Sequence, residues 1–227
     1  MIGPNIITEG LVLSIDGANS KSYNETTSWS DISKNSNNAS LTNGPGFSND
    51  NNGVILFDGV NDYALISNNS TVQITGDQTL EFWVYPQRRD RRQNFYNKAY
   101  GGEGTITYEI NGSLSYYWGT NGGNGSPYQG FGTSGYPLSD INKWYHVVLV
   151  RDLSSTSRTI KWYINGTLNN SGSASYTSAT AGNSPILLGD GYTNNFLGKI
   201  GLVNIYNIAL KEDEVLKNYN SIKYRYE

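Results

Sequence analysis

The run from Val54 to Ile66 reads V-I-L-F-D-G-V-N-D-Y-A-L-I and sets the pattern for the chain. Two apolar stretches, Val54 to Phe57 and Tyr63 to Ile66, flank a polar corner holding Asp58, Gly59, Asn61 and Asp62. The pattern predicts two strands joined by a tight turn. A two-stranded hairpin alone is marginal in water, so both strands need partners. The rest of the chain supplies them. Leu11, Leu13 and Ile15 alternate along a first strand that ends at Asp16. Leu80, Phe82 and Val84 alternate with Glu81, Trp83 and Tyr85, which predicts a central sandwich strand over 79–86. Pro86 ends it, because proline cannot donate to a ladder.

Thr105 to Ile110 and Ser113 to Trp118 are predicted to pair around Asn111-Gly112, since both central positions of a type I′ turn need positive φ. Trp144 to Val150 is apolar throughout and reads as a strand buried on both faces. Thr159 to Ile164 pairs back and leads through a second Asn-Gly, at 165–166, into Thr167-Leu168. Pro185 to Gly189 and Gly198 to Tyr206 are the last strands, with the last expected beside the first. Residues 18–53 carry only scattered anchors (Tyr23, Trp29, Ile32, Leu41, Phe47) and predict a surface meander with one or two short strands. Gly119 to Gly135 reads as a long irregular loop. One stretch changes period: from Lys211, Val215, Leu216 and Tyr219 fall at helical spacing, with Glu212, Asp213 and Glu214 suited to the first turn of a short C-terminal helix.

Composition narrows the class to a single all-β domain. The 227 residues include 26 Gly and 18 Tyr, and only 15% are charged, the profile of many strands joined by turns. A chain of this length buries enough surface to need no covalent staple. With no cysteine, disulfides and thiolate metal sites are excluded. A net charge of −3 argues against a nucleic-acid partner. No apolar run is long enough for membrane insertion, and Met1 to Asn5 has neither the basic nor the apolar part of a secretory signal.

Taken in order, G-L-V-L-S-I-D-G, F-D-G-V-N-D-Y, L-E-F-W-V-Y-P, W-Y-H-V-V-L-V-R-D, W-Y-I-N-G and L-G-K-I-G-L-V-N-I-Y resemble a laminin-G-like domain of the concanavalin A-like superfamily over residues 10–220. The resemblance implies an antiparallel jelly-roll β-sandwich spanning 10–210, followed by a helix and tail at 211–227 and preceded by an arm at 1–9. The opening segment, the W-S-D-I-S-K-N-S stretch and E-V-L-K-N-Y-N-S-I-K-Y-R-Y are similar to laminin-G-like proteins of tailed bacteriophages. That implies a virion module (capsid decoration, fibre or adhesin) whose partners are other virion proteins and a host or environmental glycan, with self-association left open. The arm and the tail are then the expected docking parts. The alternative is a free carbohydrate-binding lectin of bacterial origin, with calcium dependence left open.

The superfamily also contains glucanases, whose hydrolysis needs two carboxylates about 5 Å apart in retaining enzymes. No E-x-D-x-x-E run is present; Glu81 and Glu109 are isolated on their strands, and no catalytic residue is assigned. His146, the single histidine, reads as a hydrogen-bonded core residue. Relatives bind calcium at the sandwich rim, and a hard cation needs six to eight oxygens. Asp58, Asn61 and Asp62, with Asp16 and Asp190 at other strand ends, are the candidate ligands; the other reading is that these residues cap their own turns. Glycan sites pair aromatic faces with amide and hydroxyl groups. Tyr117, Trp118, Asn121, Tyr128 and Tyr136 are the candidates, against a reading in which they cover the sandwich ends. The dense run Gln87 to Arg92 is either an anion or partner contact or a solvated loop tip.

Overall fold

The computed structural model describes residues 5–227. Its strands are β1 (Leu11–Asp16), β2 (Ser28–Trp29), β3 (Ala39–Thr42), β4 (Gly46–Ser48), β5 (Val54–Asp58), β6 (Tyr63–Ile66), β7 (Gln78–Pro86), β8 (Gln93–Ala99) and β9 (Gly104–Tyr108). They continue as β10 (Leu114–Gly119), β11 (Tyr128–Gly132), β12 (Tyr145–Asp152), β13 (Thr159–Ile164), β14 (Thr167–Ser173), β15 (Ile186–Leu188), β16 (Asn194–Asn195) and β17 (Leu197–Tyr206), before helix α1 (Glu212–Ile222). The first sheet runs β14-β13-β12-β7-β17-β5-β4, and β1 also pairs with β17. The second runs β11-β10-β9-β8-β15-β6-β3-β2, with β16 alongside β8. The all-β sandwich, the central place of β7 and the pairing of first and last strands agree with the hydrophobic pattern.

The Val54–Ile66 stretch departs from the predicted hairpin: β5 belongs to the first sheet and β6 to the second. The corner between them is held by side chains instead of a ladder. Asp58 Oδ1 accepts the N–H groups of Val60 (2.8 Å), Asn61 (3.3 Å) and Asp62 (3.4 Å), and Asp62 Oδ2 accepts the N–H of Asp58 at 3.0 Å. Gly59 has φ +69°, and a Cβ there would lie 2.7 Å from Leu197 Cβ. A tight polar corner can thus carry a chain between sheets as well as along one. The 18–53 meander contains three short strands, β2, β3 and β4. The presumed loop 119–135 contains β11, which pairs with β10 from Ser115↔Gly132 to Gly119↔Tyr128. Asn165 and Gly166 both have positive φ, as a type I′ turn requires. At Asn111-Gly112 only Gly112 does, because the turn opens to the Glu109 N–H···Ser113 carbonyl bond.

Side chains from both sheets meet in one core that includes Trp29, Phe82, Phe95, Tyr96, Trp118 and Trp162. Arg151 is fully buried there; it donates to the carbonyls of Ile74, Gly76 and Glu103 and to the Tyr116 hydroxyl, and lies 4.9 Å over the Trp118 ring. The outer face of the first sheet is also apolar, through Val54, Trp83, Val148, Tyr163 and Leu202. Helix α1 and the tail cover it. Tyr226 stacks on Trp83 with ring centroids 4.3 Å apart. Arg225 grips Asp16 with two bonds, Nη1–Oδ2 at 2.9 Å and Nη2–Oδ1 at 2.8 Å, both side chains about 95% buried. The tail at 211–227, expected outside the sandwich as a docking part, is therefore packed onto it. Of the arm, Ile6 and Ile7 pack beneath the helix, and residues 1–4 lie outside the described residues.

Removing one member of a buried pair strands the other. Arg225→Met is expected to cost about 3–5 kcal/mol in urea unfolding. A loss below about 1 kcal/mol would mean that the pair does not anchor the tail.

Candidate functional site

Strand alternation decides which aromatics reach the surface. Along β10, Leu114, Tyr116 and Trp118 point into the core, and Ser115 and Tyr117 point away from it. Tyr117 faces Gly130 of β11, where a Cβ would stand 3.0 Å from Tyr117 Cε1; the glycine leaves room for the ring. Tyr128 stands on the same outer face two residues earlier. Tyr100 follows β8, its N–H donating to Asn124 Oδ1 at 3.2 Å. Tyr192 is laid over β8 by its own turn. There Asn94 Oδ1 accepts the Thr193 N–H at 2.9 Å and the Thr193 hydroxyl at 2.7 Å.

The four rings form a closed circuit. Centroid separations are 5.3 Å for Tyr100–Tyr128, 5.9 Å for Tyr128–Tyr117, 6.3 Å for Tyr117–Tyr192 and 5.1 Å for Tyr192–Tyr100. Three of these contacts are edge-to-face, the geometry favoured by ring quadrupoles. Together with Arg92 they line a pocket of about 190 Å³. Arg92 bonds Glu109 through Nε (2.8 Å) and Nη2 (3.1 Å), and Nη2 also reaches the hydroxyls of Tyr117 (3.4 Å) and Tyr192 (3.1 Å). Burial is the largest single influence and works to lower the Arg92 pKa, but the bond and charge of Glu109 together with the Tyr192 and Tyr117 phenols outweigh it, and the guanidinium ends above its ordinary value. Burial likewise pushes the Tyr192 phenol up. The Tyr192 hydroxyl is shared with Thr107 Oγ1 at 2.9 Å.

Of the residues predicted for glycan contact, Tyr117 and Tyr128 meet in this pocket. Trp118 does not: it is fully buried, because it follows Tyr117 on a strand and so faces the other way. Asn121 braces its own loop, donating to the Ser126 carbonyl at 3.0 Å and accepting the Gly123 N–H at 3.2 Å. Tyr136 is exposed near the opposite end of the hairpin, where the Leu138 N–H bonds the Gly112 carbonyl. Sequence reasoning missed Tyr100, Tyr192 and Arg92. The first two are single tyrosines beside glycine turns, and Arg92 is the last member of a run dominated by its neighbours. Arg88 and Arg91 flank Asp90 at 3.4 and 3.5 Å, and Arg89 donates to the Asn111 carbonyl, a solvated loop tip.

The predicted calcium ligands do not converge. Asp58 and Asp62 are together, with Asn61 between them, but each bonds the corner's backbone, and burial raises the Asp62 carboxyl's pKa. Asp190 accepts the Gly191 N–H at 2.7 Å, and Asp16 is taken by Arg225. No three carboxylate or histidine groups assemble a metal site among the described residues. The Asp16 assignment is corrected by its arginine, which takes both carboxylate oxygens.

His146 is the buried residue expected, its Nε2 2.8 Å from Glu81 Oε1. Glu81 lies beneath α1 on the first sheet, whereas Glu109 lies on the outer face of the second.

Two antiparallel sheets with a site on one outer face define a lectin-type sandwich architecture. The chain belongs to the concanavalin A-like lectin/glucanases superfamily, whose laminin-G model matches residues 58–216. No curated protein sequence matches it. Among solved structures, the binding domain of Paraclostridial Mosquitocidal Protein 1 superposes with a TM-score of 0.74 at 21% identity, covering 93% of this chain and 52% of that one. The botulinum neurotoxin serotype D binding domain gives 0.74 at 15% identity, covering 94% and 52%. Botulinum neurotoxin type C, which depends on interaction with two ganglioside molecules to get into cells, gives 0.71 at 14% identity, covering 94% and 51%. The chain thus spans about half the length of these structures, and the likeness is one of fold.

The facing of β10 is directly measurable. Trp118→Ala should cost about 3–5 kcal/mol in urea unfolding. Tyr117→Ala, one position along, should cost about 1 kcal/mol or less. Equal costs would overturn the facing described.

Proposed function

We propose that the protein is a non-catalytic adhesion module that holds a glycan in the four-tyrosine pocket and is carried on a tailed-phage virion. The observation that carries the binding reading is the closed circuit of Tyr100, Tyr117, Tyr128 and Tyr192 around an opening with an arginine at its side. Tyrosine supplies a rigid apolar face for the C–H side of a sugar ring and a hydroxyl for its polar edge. The Tyr100 and Tyr128 hydroxyls carry no hydrogen bond among the described residues, so both are open to a ligand. The ganglioside dependence of the type C neurotoxin, which shares the fold, is in keeping with a sugar.

Glu81 and Glu109 stand on opposite outer faces and are both committed, to His146 and to Arg92. That arrangement lacks the close carboxylate pair of a retaining glycosidase and supports a role without catalysis. The virion assignment rests on the likeness of the opening and C-terminal segments to phage laminin-G-like proteins. Other virion proteins are then the structural partners.

A glycan array probed with the purified chain tests the binding reading. Binding to one glycan class is expected, with Tyr128→Ala and Tyr192→Ala each losing at least about tenfold at unchanged Tm, in proportion to hot-spot aromatics elsewhere. The signal is expected to persist in chelator, since the calcium donors do not converge. A folded wild-type chain that binds nothing on the array would sink the reading. Antibody labelling of washed particles tests the virion location independently.

A further inference from the structure

We propose that the pocket selects uncharged hexopyranoses over acidic sugars, and that Glu109 sets this selectivity by neutralising Arg92 and aiming its free edge. The inference rests on the glycan reading above and deepens it. Three features of the pocket carry it.

The first is the fork between Arg92 and Glu109. Both carboxylate oxygens are used, at 2.8 Å to Nε and 3.1 Å to Nη2. A bidentate guanidinium–carboxylate pair is fixed in orientation and carries no net charge. The wall of the pocket that looks cationic in sequence is therefore neutral. An acidic sugar placed there would lose water from its carboxylate and gain no unpaired cation in return.

The second is what the fork leaves over. Nε and Nη2 are occupied by Glu109 and by the Tyr117 and Tyr192 hydroxyls, while Nη1 carries no hydrogen bond among the described residues. Nη1, with the Tyr100 and Tyr128 hydroxyls, forms a set of neutralised or uncharged polar groups around an apolar wall. That set matches a ring bearing hydroxyls on its rim and C–H bonds on its faces. The volume of about 190 Å³ lies below the ~300 Å³ at which drug-sized pockets begin and suits one sugar ring.

The third concerns the other ligand that tyrosine cages take, a quaternary ammonium. Here the cage already holds the protein's own cation, with the Arg92 guanidinium carbon 5.8 Å from the Tyr192 ring centroid. A ligand cation would have to displace it from the Tyr192 face, and the neutral fork leaves no free carboxylate to receive that cation. The titratable groups facing Arg92 are Glu109, Tyr117 and Tyr192, and Glu109 is the carboxylate among them. One residue thus controls the sign of the wall.

The test uses the full chain and matched probes: methyl glucoside and methyl galactoside against methyl glucuronide and methyl galacturonide, titrated by calorimetry. Wild type should bind one hexoside at least tenfold tighter than its uronide. Glu109→Gln keeps the shape of the side chain but removes its charge. It should narrow or reverse that ratio, chiefly by tightening the uronide. Arg92→Gln, which removes the cation itself, should weaken the hexoside several-fold and give the uronide no gain; it also guards against a Glu109 variant that merely fails to fold. A wild-type preference for uronides, or a ratio unmoved by Glu109→Gln, overturns the selectivity while leaving glycan binding intact. Binding of both sugars that survives Tyr128→Ala, or of neither, overturns the pocket itself.

Discussion

The apolar outer face of the first sheet is the constraint on which the rest of the architecture depends. Trp83, Val148, Tyr163 and Leu202 point away from the sandwich core and must still be removed from water. An aromatic side chain buries roughly 150–250 Å². At about 25 cal/mol per Å², Trp83 alone represents about 4–6 kcal/mol of transfer free energy as an upper estimate. Tyr226 and Tyr219 stack on it, and α1 lies over its neighbours. The buried Arg225–Asp16 pair is weaker evidence for net stability, because desolvation offsets much of its attraction. Apolar burial supplies the stability of the covered face, and the ion pair fixes where the tail ends.

The same covered face contains a polar network that positions the helix. Glu81 Oε2 accepts from Asn204 Nδ2 (3.1 Å), Asn218 Nδ2 (2.9 Å) and the Tyr206 hydroxyl (3.3 Å), while Oε1 meets His146. Asn218 Oδ1 accepts the Ile7 N–H at 2.8 Å, so one helical side chain ties both chain ends to β7 and β17. A greasy face alone would accept the helix in several positions. Satisfied buried polar groups accept one. Among the described residues, the His146 Nδ1 and Asn204 Oδ1 atoms have no partner, which marks the limits of the network.

What the sequence revealed follows from what a two-residue period can carry. Strand positions and faces were legible wherever apolar residues alternated, as along Leu80, Phe82 and Val84. The corner at Asp58–Asp62 was legible as a turn but not as a crossing between sheets, because partner choice is set by distant strands: β17 for β5, β15 and β3 for β6. β11 was illegible because Y-Q-G-F-G offers no alternation; its place comes from its ladder with β10. At the site, the period itself should have separated Tyr117 from Trp118. Grouping them set aside the alternation of the strand predicted over 113–118. Tyr100 and Tyr192 lie 92 residues apart in the chain and meet because the turn carrying Tyr192 is held across β8 by the Asn94–Thr193 bonds.

The two sheets therefore divide the labour. The first sheet needs a cover on its outer side and receives the helix. The second carries threonine, asparagine and tyrosine on that side; Asn94, Thr105 and Thr107 are buried there, whereas Tyr117 and Tyr128 keep access to solvent. Its aromatic residues are also held in advance. Tyr117 is fixed by its strand and by Gly130, Tyr100 by Asn124, and Tyr192 by the Asn94–Thr193 bonds. Ordering each flexible side chain on binding costs about 0.5–1.5 kcal/mol, and a tyrosine has only two torsions to fix. A surface on which three of the four rings are braced in advance avoids much of that cost. On the proposed reading, that saving is what lets a pocket of one-ring size hold a glycan.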